Sequence, residues 1–249
     1  MNAPLSGQAA VITGAGSGIG RAVAVALAEA GARVALLGRN RDNLEGTRAL
    51  LGASAGAACV AACDVTDRAQ VAGAVTAALA DFGAIDIAVC AAGINVAKRS
   101  LRTLDPADWD RIVATNLTGA FNVVHHVLPA MVDRGAGLIV QIASISALRP
   151  SAISGAAYSA SKAAMATLGA CIGREERGRN VRSTVIYAGE VRTSFLESRA
   201  GRPGGEAGRH REGILEPADV AAAVLFVAGL PPHAHVPQLV LKPTIDDFA

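Results

Sequence analysis

Thr13-Gly14-Ala15-Gly16-Ser17-Gly18-Ile19-Gly20 stands between an apolar run at 9–13 and a helical pattern that opens near Gly18 and ends before Gly31. Glycines at a strand-to-helix turn permit a tight bend and let backbone N–H groups approach an anion. The helix N-terminus adds partial positive charge there. The common dinucleotide fingerprint G-x-G-x-x-G is not met, because Ile19 and Arg21 occupy the places of its third glycine. The spacing is instead Gly14, Gly18, Gly20. A tight turn without any ligand would also explain such a stretch. Its position at the start of a chain of alternating elements favours a nucleotide.

Beyond that turn, apolar strand-like runs alternate with amphipathic helical runs. Strands are predicted over 9–13, 33–38, 58–63, 87–90, 137–143, 182–187 and 236–241. Helices are predicted from Gly18 to before Gly31 and over 42–51, 68–82, 105–134, 157–177 and 217–228. Asp105-Pro106 and Glu216-Pro217 read as helix starts, with proline in the first turn. Apolar strands joined by helical crossovers imply a parallel sheet covered on both faces. The expected fold class is α/β, a Rossmann-type doubly wound parallel sheet of about seven strands. No repeat or long linker divides the chain, so one dinucleotide-binding domain over 1–249 is expected. The segment 194–213, rich in glycine and charge, follows the sixth strand. Ligands in such sheets bind beyond the carboxyl ends of strands, which makes 194–213 a candidate substrate loop. A plain surface loop is the equal alternative.

Hydrophobic residues make up 51% of the chain and aromatics only 3%, so alanine and small aliphatics must fill the interior. A net charge of +2 is too mild to imply a nucleic-acid partner. Cys59, Cys63, Cys90 and Cys171 show no Cys-x-x-Cys spacing, which argues against a disulfide framework and a zinc site. Cys59 and Cys63 read as buried thiols. Residues 1–7 lack the basic and apolar segments of a signal peptide. No apolar stretch reaches membrane-spanning length. A soluble, cytoplasmic protein with no membrane partner is expected.

Tyr158-Ser159-Ala160-Ser161-Lys162 is the most informative run outside the glycine turn. The chain has two tyrosines, and its three lysines are Lys98, Lys162 and Lys242. Random placement would give a Tyr-x-x-x-Lys spacing with a chance of roughly 0.02. On a helix the two side chains share one face. An ammonium held beside a phenol favours the phenolate, which would bring a weak acid into use near neutral pH. A tyrosine and a snorkelling lysine on an ordinary amphipathic helix are the plainer reading of the pair alone.

The second strand ends Leu36-Leu37-Gly38-Arg39-Asn40. Glycine stands where an acidic residue would hold the ribose 2′-hydroxyl of NAD, and arginine follows. A guanidinium can hold a 2′-phosphate by charge-assisted bonds, so NADP(H) is favoured over NAD(H). Arg39 as a solvated turn residue is the alternative.

Together these residues resemble the short-chain dehydrogenase/reductase family in its single-domain form, over almost the whole chain. The family's T-G-x-x-x-G-x-G turn matches Thr13 to Gly20, with Gly14, Ser17, Gly18, Ile19 and Gly20 at the cofactor. The acidic residue that contacts the adenine matches Asp64, followed by Val65. The N-A-A-G element reads Cys90-Ala91-Ala92-Gly93, with cysteine in place of asparagine. The helical asparagine matches Asn116, and the catalytic serine matches Ser144, with Ser146 as an alternate. Tyr158 and Lys162 match the catalytic Tyr-x-x-x-Lys. The Pro-Gly after the sixth strand reads Ala188-Gly189, followed by Val191 and Thr193 at the nicotinamide carboxamide positions. Ser144 precedes Tyr158 by one residue more than the family spacing, and the glycine pair after the last strand is absent.

The resemblance implies an NADP(H)-dependent oxidoreductase that interconverts a ketone or aldehyde with an alcohol. Tyr158 would be the general acid or base, Lys162 would lower its pKa and hold the ribose, and Ser144 would donate to the substrate oxygen. Asn116 would support a water linking Lys162 to solvent. The substrate pocket is expected near 94–96, 144–154, Glu190 and the 194–213 loop, and a homodimer or homotetramer is expected. A regulatory dinucleotide-binding protein, or a redox-neutral lyase or isomerase on the same fold, are the alternatives.

Overall fold

Seven strands form one all-parallel sheet in the computed structural model, which describes residues 3–197 and 213–245. They are β1 (Ala9–Thr13), β2 (Arg33–Gly38), β3 (Ala58–Ala62), β4 (Ile87–Cys90), β5 (Gly137–Ser144), β6 (Val181–Ala188) and β7 (Gln238–Leu241). The order β3-β2-β1-β4-β5-β6-β7 reverses direction between β1 and β4. Such a reversal opens a crevice at the carboxyl ends of the strands, where ligands of doubly wound sheets bind.

The helices are α1 (Gly18–Glu29), α2 (Arg41–Leu50), α3 (Arg68–Phe82), α4 (Pro106–Val113), α5 (Gly119–Arg134), α6 (Ala156–Glu175), α7 (Ser194–Glu197) and α8 (Pro217–Ala228). Strand side chains alternate between the two faces. Ile12, Leu36, Val89 and Val140 join a core with Val23 and Leu27 of α1 and Val220 and Val224 of α8. Val11, Leu37, Ala88 and Ile139 join a second core with Val71 of α3, Val127 of α5 and Met165 of α6. Helices therefore cover both faces, as the alternating pattern predicts.

The two proline starts are capped as expected. Asp105 accepts from Ala107 N–H, and Glu216 and Asp219 form a capping box on α8. The predicted helix over 105–134 is interrupted: Ala114–Thr118 forms a π-turn between α4 and α5, with Asn116 fully buried in it. Single π-turns widen a helix locally and often mark functional sites. Cys59 is half-buried rather than buried, while Cys63 is buried as expected. Of the 194–213 loop, Ser194–Glu197 is the short helix α7, and residues 198–212 lie outside the described residues. Among the described residues no helix is long and apolar enough to cross a membrane.

Candidate active site

The turn from Thr13 to Gly20 is held from behind by side chains. Thr47 of α2 donates to the Ala15 carbonyl at 2.8 Å, and Arg21 donates to the Gly16 carbonyl and to Thr47 Oγ1. Ala15 N–H donates to the Leu37 carbonyl at the end of β2. Two glycines are obligatory here. Gly14 has φ +67°, and a Cβ on it would stand 3.0 Å from Ala92 N; a Cβ on Gly20 would collide with the Gly14 carbonyl. Ser17 is the N-cap of α1, yet its side chain caps no N–H of the first turn, and no acidic residue lies in that turn. The first N–H groups of α1 thus carry no side-chain anion, which suits a phosphate.

Two adjoining cavities open at the crevice. The larger, about 630 Å³, is lined by Ser17, Gly18, Ile19 and Gly20 on one side and by Ser144, Tyr158, Lys162, Gly189, Val191 and Thr193 on the other. The smaller, about 210 Å³, is lined by Arg39, Asp64 and Val65. Gly14, Ser17, Ala92 and Gly93 border both. Every residue assigned to the cofactor from sequence therefore lines one or both of these two adjoining cavities. Thr13 ties the crevice together: its hydroxyl accepts from Ala91 N–H and Ala92 N–H, each at 3.1 Å. Cys90, where the family has asparagine, is buried and its thiol is pushed up to about 12 by desolvation, so it stays neutral beside the site.

The segment after β6 is anchored on both sides. Gly189 N–H donates to the Leu241 carbonyl, and Val191 forms a parallel bridge with Leu215. Thr193 lies directly against Gly18 in the lining of the larger cavity.

Tyr158 and Lys162 lie on the first turns of α6 and share a face, with the Lys162 Nζ 5.9 Å from the Tyr158 ring centroid. Tyr158 is 7% exposed and Lys162 4%. Lys162 donates to the Ile142 carbonyl of β5 at 2.7 Å and approaches Met165 Sδ at 3.6 Å. Desolvation pulls its pKa down to about 8, against a smaller upward pull from Cys90. Asn116 clamps two elements: its Oδ1 accepts from Ile94 N–H at 2.7 Å, and its Nδ2 donates to the Ile94 carbonyl and to Ser161 Oγ, each at 3.0 Å. Ser161 in turn donates to the Tyr158 carbonyl at 2.8 Å. Asn116 so links the loop after β4 to the turn of α6 that carries the tyrosine.

Residues 8–202 match the family described as short chain dehydrogenase. The chain belongs to that family. It is 36% identical over 244 residues to the glycine betaine reductase ATRR of Emericella nidulans, covering 96% of this chain but only 19% of that protein. The structure of a closed serine dehydrogenase complexed with NADP+ matches with a TM-score of 0.89 and 29% identity, over 97% of both chains. A 3-ketoacyl-(acyl-carrier-protein) reductase from Brucella melitensis, complexed with NADH, matches with a TM-score of 0.84 and 29% identity, over 95% of this chain and 97% of that one. This short-chain dehydrogenase is thus an oxidoreductase.

Of the lining expected near 94–96, only Ile94 borders either cavity. Ile94 lines the smaller cavity, and Val96 packs inward against Ile112 and Ala157. The Ile94 backbone carries the Asn116 clamp, and Val96 N–H donates to Asn95 Oδ1. The rest of the expected lining is represented at the larger cavity by Ile145, Ser146, Arg149, Ile153, Glu190 and Phe195. The Phe195 ring lies 5.8 Å from the Tyr158 ring. Sequence reasoning passed over Asn122, a buried residue whose Nδ2 holds the Val65 carbonyl at 2.9 Å while its Oδ1 accepts from Arg68. A polar residue on the inward face of an otherwise apolar α5 was the available signal. Thr47 was missed for a different reason: it is fully buried in a helix that reads as polar, so nothing in its surroundings sets it apart.

Proposed function

We propose that the chain is an NADP(H)-dependent oxidoreductase that interconverts a small ketone or aldehyde with the corresponding alcohol. The observation that carries this reading is the convergence of Ser144, Tyr158 and Lys162 on one cavity that continues into the glycine turn. The nicotinamide cofactor supplies or accepts the hydride. Tyr158 gives a proton to the carbonyl oxygen in reduction and takes it back in oxidation. Lys162, a buried ammonium four residues on, favours the phenolate form and draws the proton out of the phenol during oxidation. Ser144 donates to the substrate oxygen as negative charge builds on it. Asn116 positions α6 and the loop after β4 rather than touching substrate.

Arg39, exposed at the rim of the smaller cavity, is the residue that would hold a 2′-phosphate. Ile145, Ile153 and Phe195 give the substrate an apolar wall, and Arg149 and Glu190 add charge at its edge. This suits a modest carbonyl compound with one polar arm. The exposed Phe121 and His125 of α5 stack on one another and give a homodimer or homotetramer a surface to use. Sedimentation velocity is expected to show more than one subunit; a monomer at micromolar concentration would end that part of the reading.

NADPH oxidation against a panel of ketones and aldehydes, with NADH and Tyr158→Phe in parallel, tests the reading. Turnover that disappears in the variant is expected. Full activity in Tyr158→Phe refutes the acid–base assignment. No turnover despite tight NADPH binding would favour a redox-neutral reaction or a regulatory protein.

A further inference from the structure

Ser144 has two structural roles at once. It is the last residue of β5 and the N-cap of the 3-10 turn Ile145–Ala147. Its Oγ accepts from Ser146 N–H at 3.2 Å and donates to Ser146 Oγ, also at 3.2 Å. Both serines line the larger cavity with Tyr158, and they are 7% and 9% exposed. The hydroxyl proton of Ser146 has no acceptor among the described residues.

A serine hydroxyl has one proton to give and two lone pairs to fill. With no substrate present, Ser144 spends its proton on Ser146. A substrate oxygen needs that same proton. When Ser144 turns its O–H toward substrate, one of its lone pairs opens toward Ser146. Ser146 Oγ is 3.2 Å away, and its own proton can be turned to fill it. The exchange takes two rotations about Cβ–Oγ bonds and a small χ1 adjustment that turns the Ser146 hydroxyl toward Ser144 Oγ. Hydrogen bonds arranged in a chain strengthen one another, so a Ser144 that accepts from Ser146 is a better donor to the substrate oxygen.

We propose that Ser146 is a positioning residue for the reaction, acting through Ser144. In the resting site it takes up the Ser144 proton. In the reacting site it donates to Ser144, which donates to the substrate oxygen. The proposal rests on the carbonyl-reduction reading above.

A double-mutant cycle on Ser144 and Ser146 tests it. NADPH oxidation would be followed with whichever of 2,3-butanedione and ethyl 3-oxobutanoate the wild type reduces faster, and NADPH affinity would be titrated for each variant. Ser146→Ala is expected to lower kcat by about 3- to 10-fold, the worth of one neutral hydrogen bond, with NADPH affinity unchanged. In the Ser144→Ala background the same substitution is expected to change nothing, because its only route of action is gone. Ser146→Thr, which keeps the hydroxyl, is expected to restore the rate. Equal losses in both backgrounds would overturn the proposal. So would a Ser144→Ala variant that keeps full turnover while Ser146→Ala loses it, since Ser146 would then be the direct donor. Tyr158→Phe is run alongside: if neither ketone is reduced in a Tyr158-dependent way, the carbonyl-reduction reading fails and this proposal falls with it. With that turnover present, only the coupling decides.

Discussion

The two halves of the crevice are built on different principles. Around β1, α1 and β2 the surface is mostly backbone: glycines bring the chain close, and Thr47 and Arg21 occupy the carbonyls behind the turn. Around β5 and α6 the surface is side chain: Ser144, Tyr158 and Lys162 project into the cavity. Each is oriented by its own partner, Ser146, the Asn116–Ser161 link and the Ile142 carbonyl respectively. Backbone binding tolerates almost no added atoms but asks little of side-chain chemistry. Side-chain chemistry tolerates changes of shape but depends on single polar atoms. Substitutions in the first half should therefore affect cofactor affinity, and those in the second half should affect rate.

Gly14→Val breaks the first half hardest. The residue would be forced into a left-handed conformation and driven against Ala92 N, 3.0 Å from the new Cβ. Strain of that kind costs about 1–3 kcal/mol, and NADPH affinity is expected to fall about 10- to 100-fold in a fluorescence titration. Affinity equal to wild type would mean that the turn does not face the cofactor.

Lys162→Met separates chemistry from stability in the second half. The Lys162 pKa lies at about 8 in the folded chain against an ordinary value of 10.5. A lysine with a lowered folded pKa destabilises the fold wherever it is protonated in both states, which is below about pH 8. That penalty fades as the pH rises from about 8 towards 10.5, where the folded state has already given up the proton. Its size is about 3 kcal/mol, offset in part by the hydrogen bond to Ile142. The methionine variant is expected to be more stable than wild type by on the order of 1–3 kcal/mol in urea at pH 7, by less at pH 10, and to have lost most of its turnover. A less stable variant at pH 7 would contradict this.

Arg39→Ala sharpens the comparison within the first half, because it is the one place there where a charged side chain is asked to discriminate. NADPH affinity is expected to fall about tenfold, as for one charge-assisted contact, while NADH affinity holds. Unchanged NADPH affinity would remove Arg39 from the cofactor site.

The fold was legible because both periodicities are strong. Val34 to Leu37 form an unbroken buried run of a parallel strand, and Val71, Val75 and Ala78 repeat at helical spacing against the sheet. The Tyr158–Lys162 pair was legible for a similar reason, since helix geometry alone puts both on one face. The π-turn was not. Asn116 within it bonds Ile94, 22 residues earlier in the chain, and no local pattern carries that information. The same holds for Asn122 and Thr47, whose partners Val65 and Ala15 are brought close only by the folded sheet.

The measurement closest to the central claim is the pair of constants for Tyr158→Phe: NADPH dissociation by titration, and kcat on the best ketone of the panel. Unchanged NADPH affinity with kcat lowered by about 10²- to 10⁴-fold is expected. A variant that loses NADPH affinity while its residual turnover stays at the wild-type level would contradict it, placing the tyrosine in cofactor binding and the chemistry elsewhere.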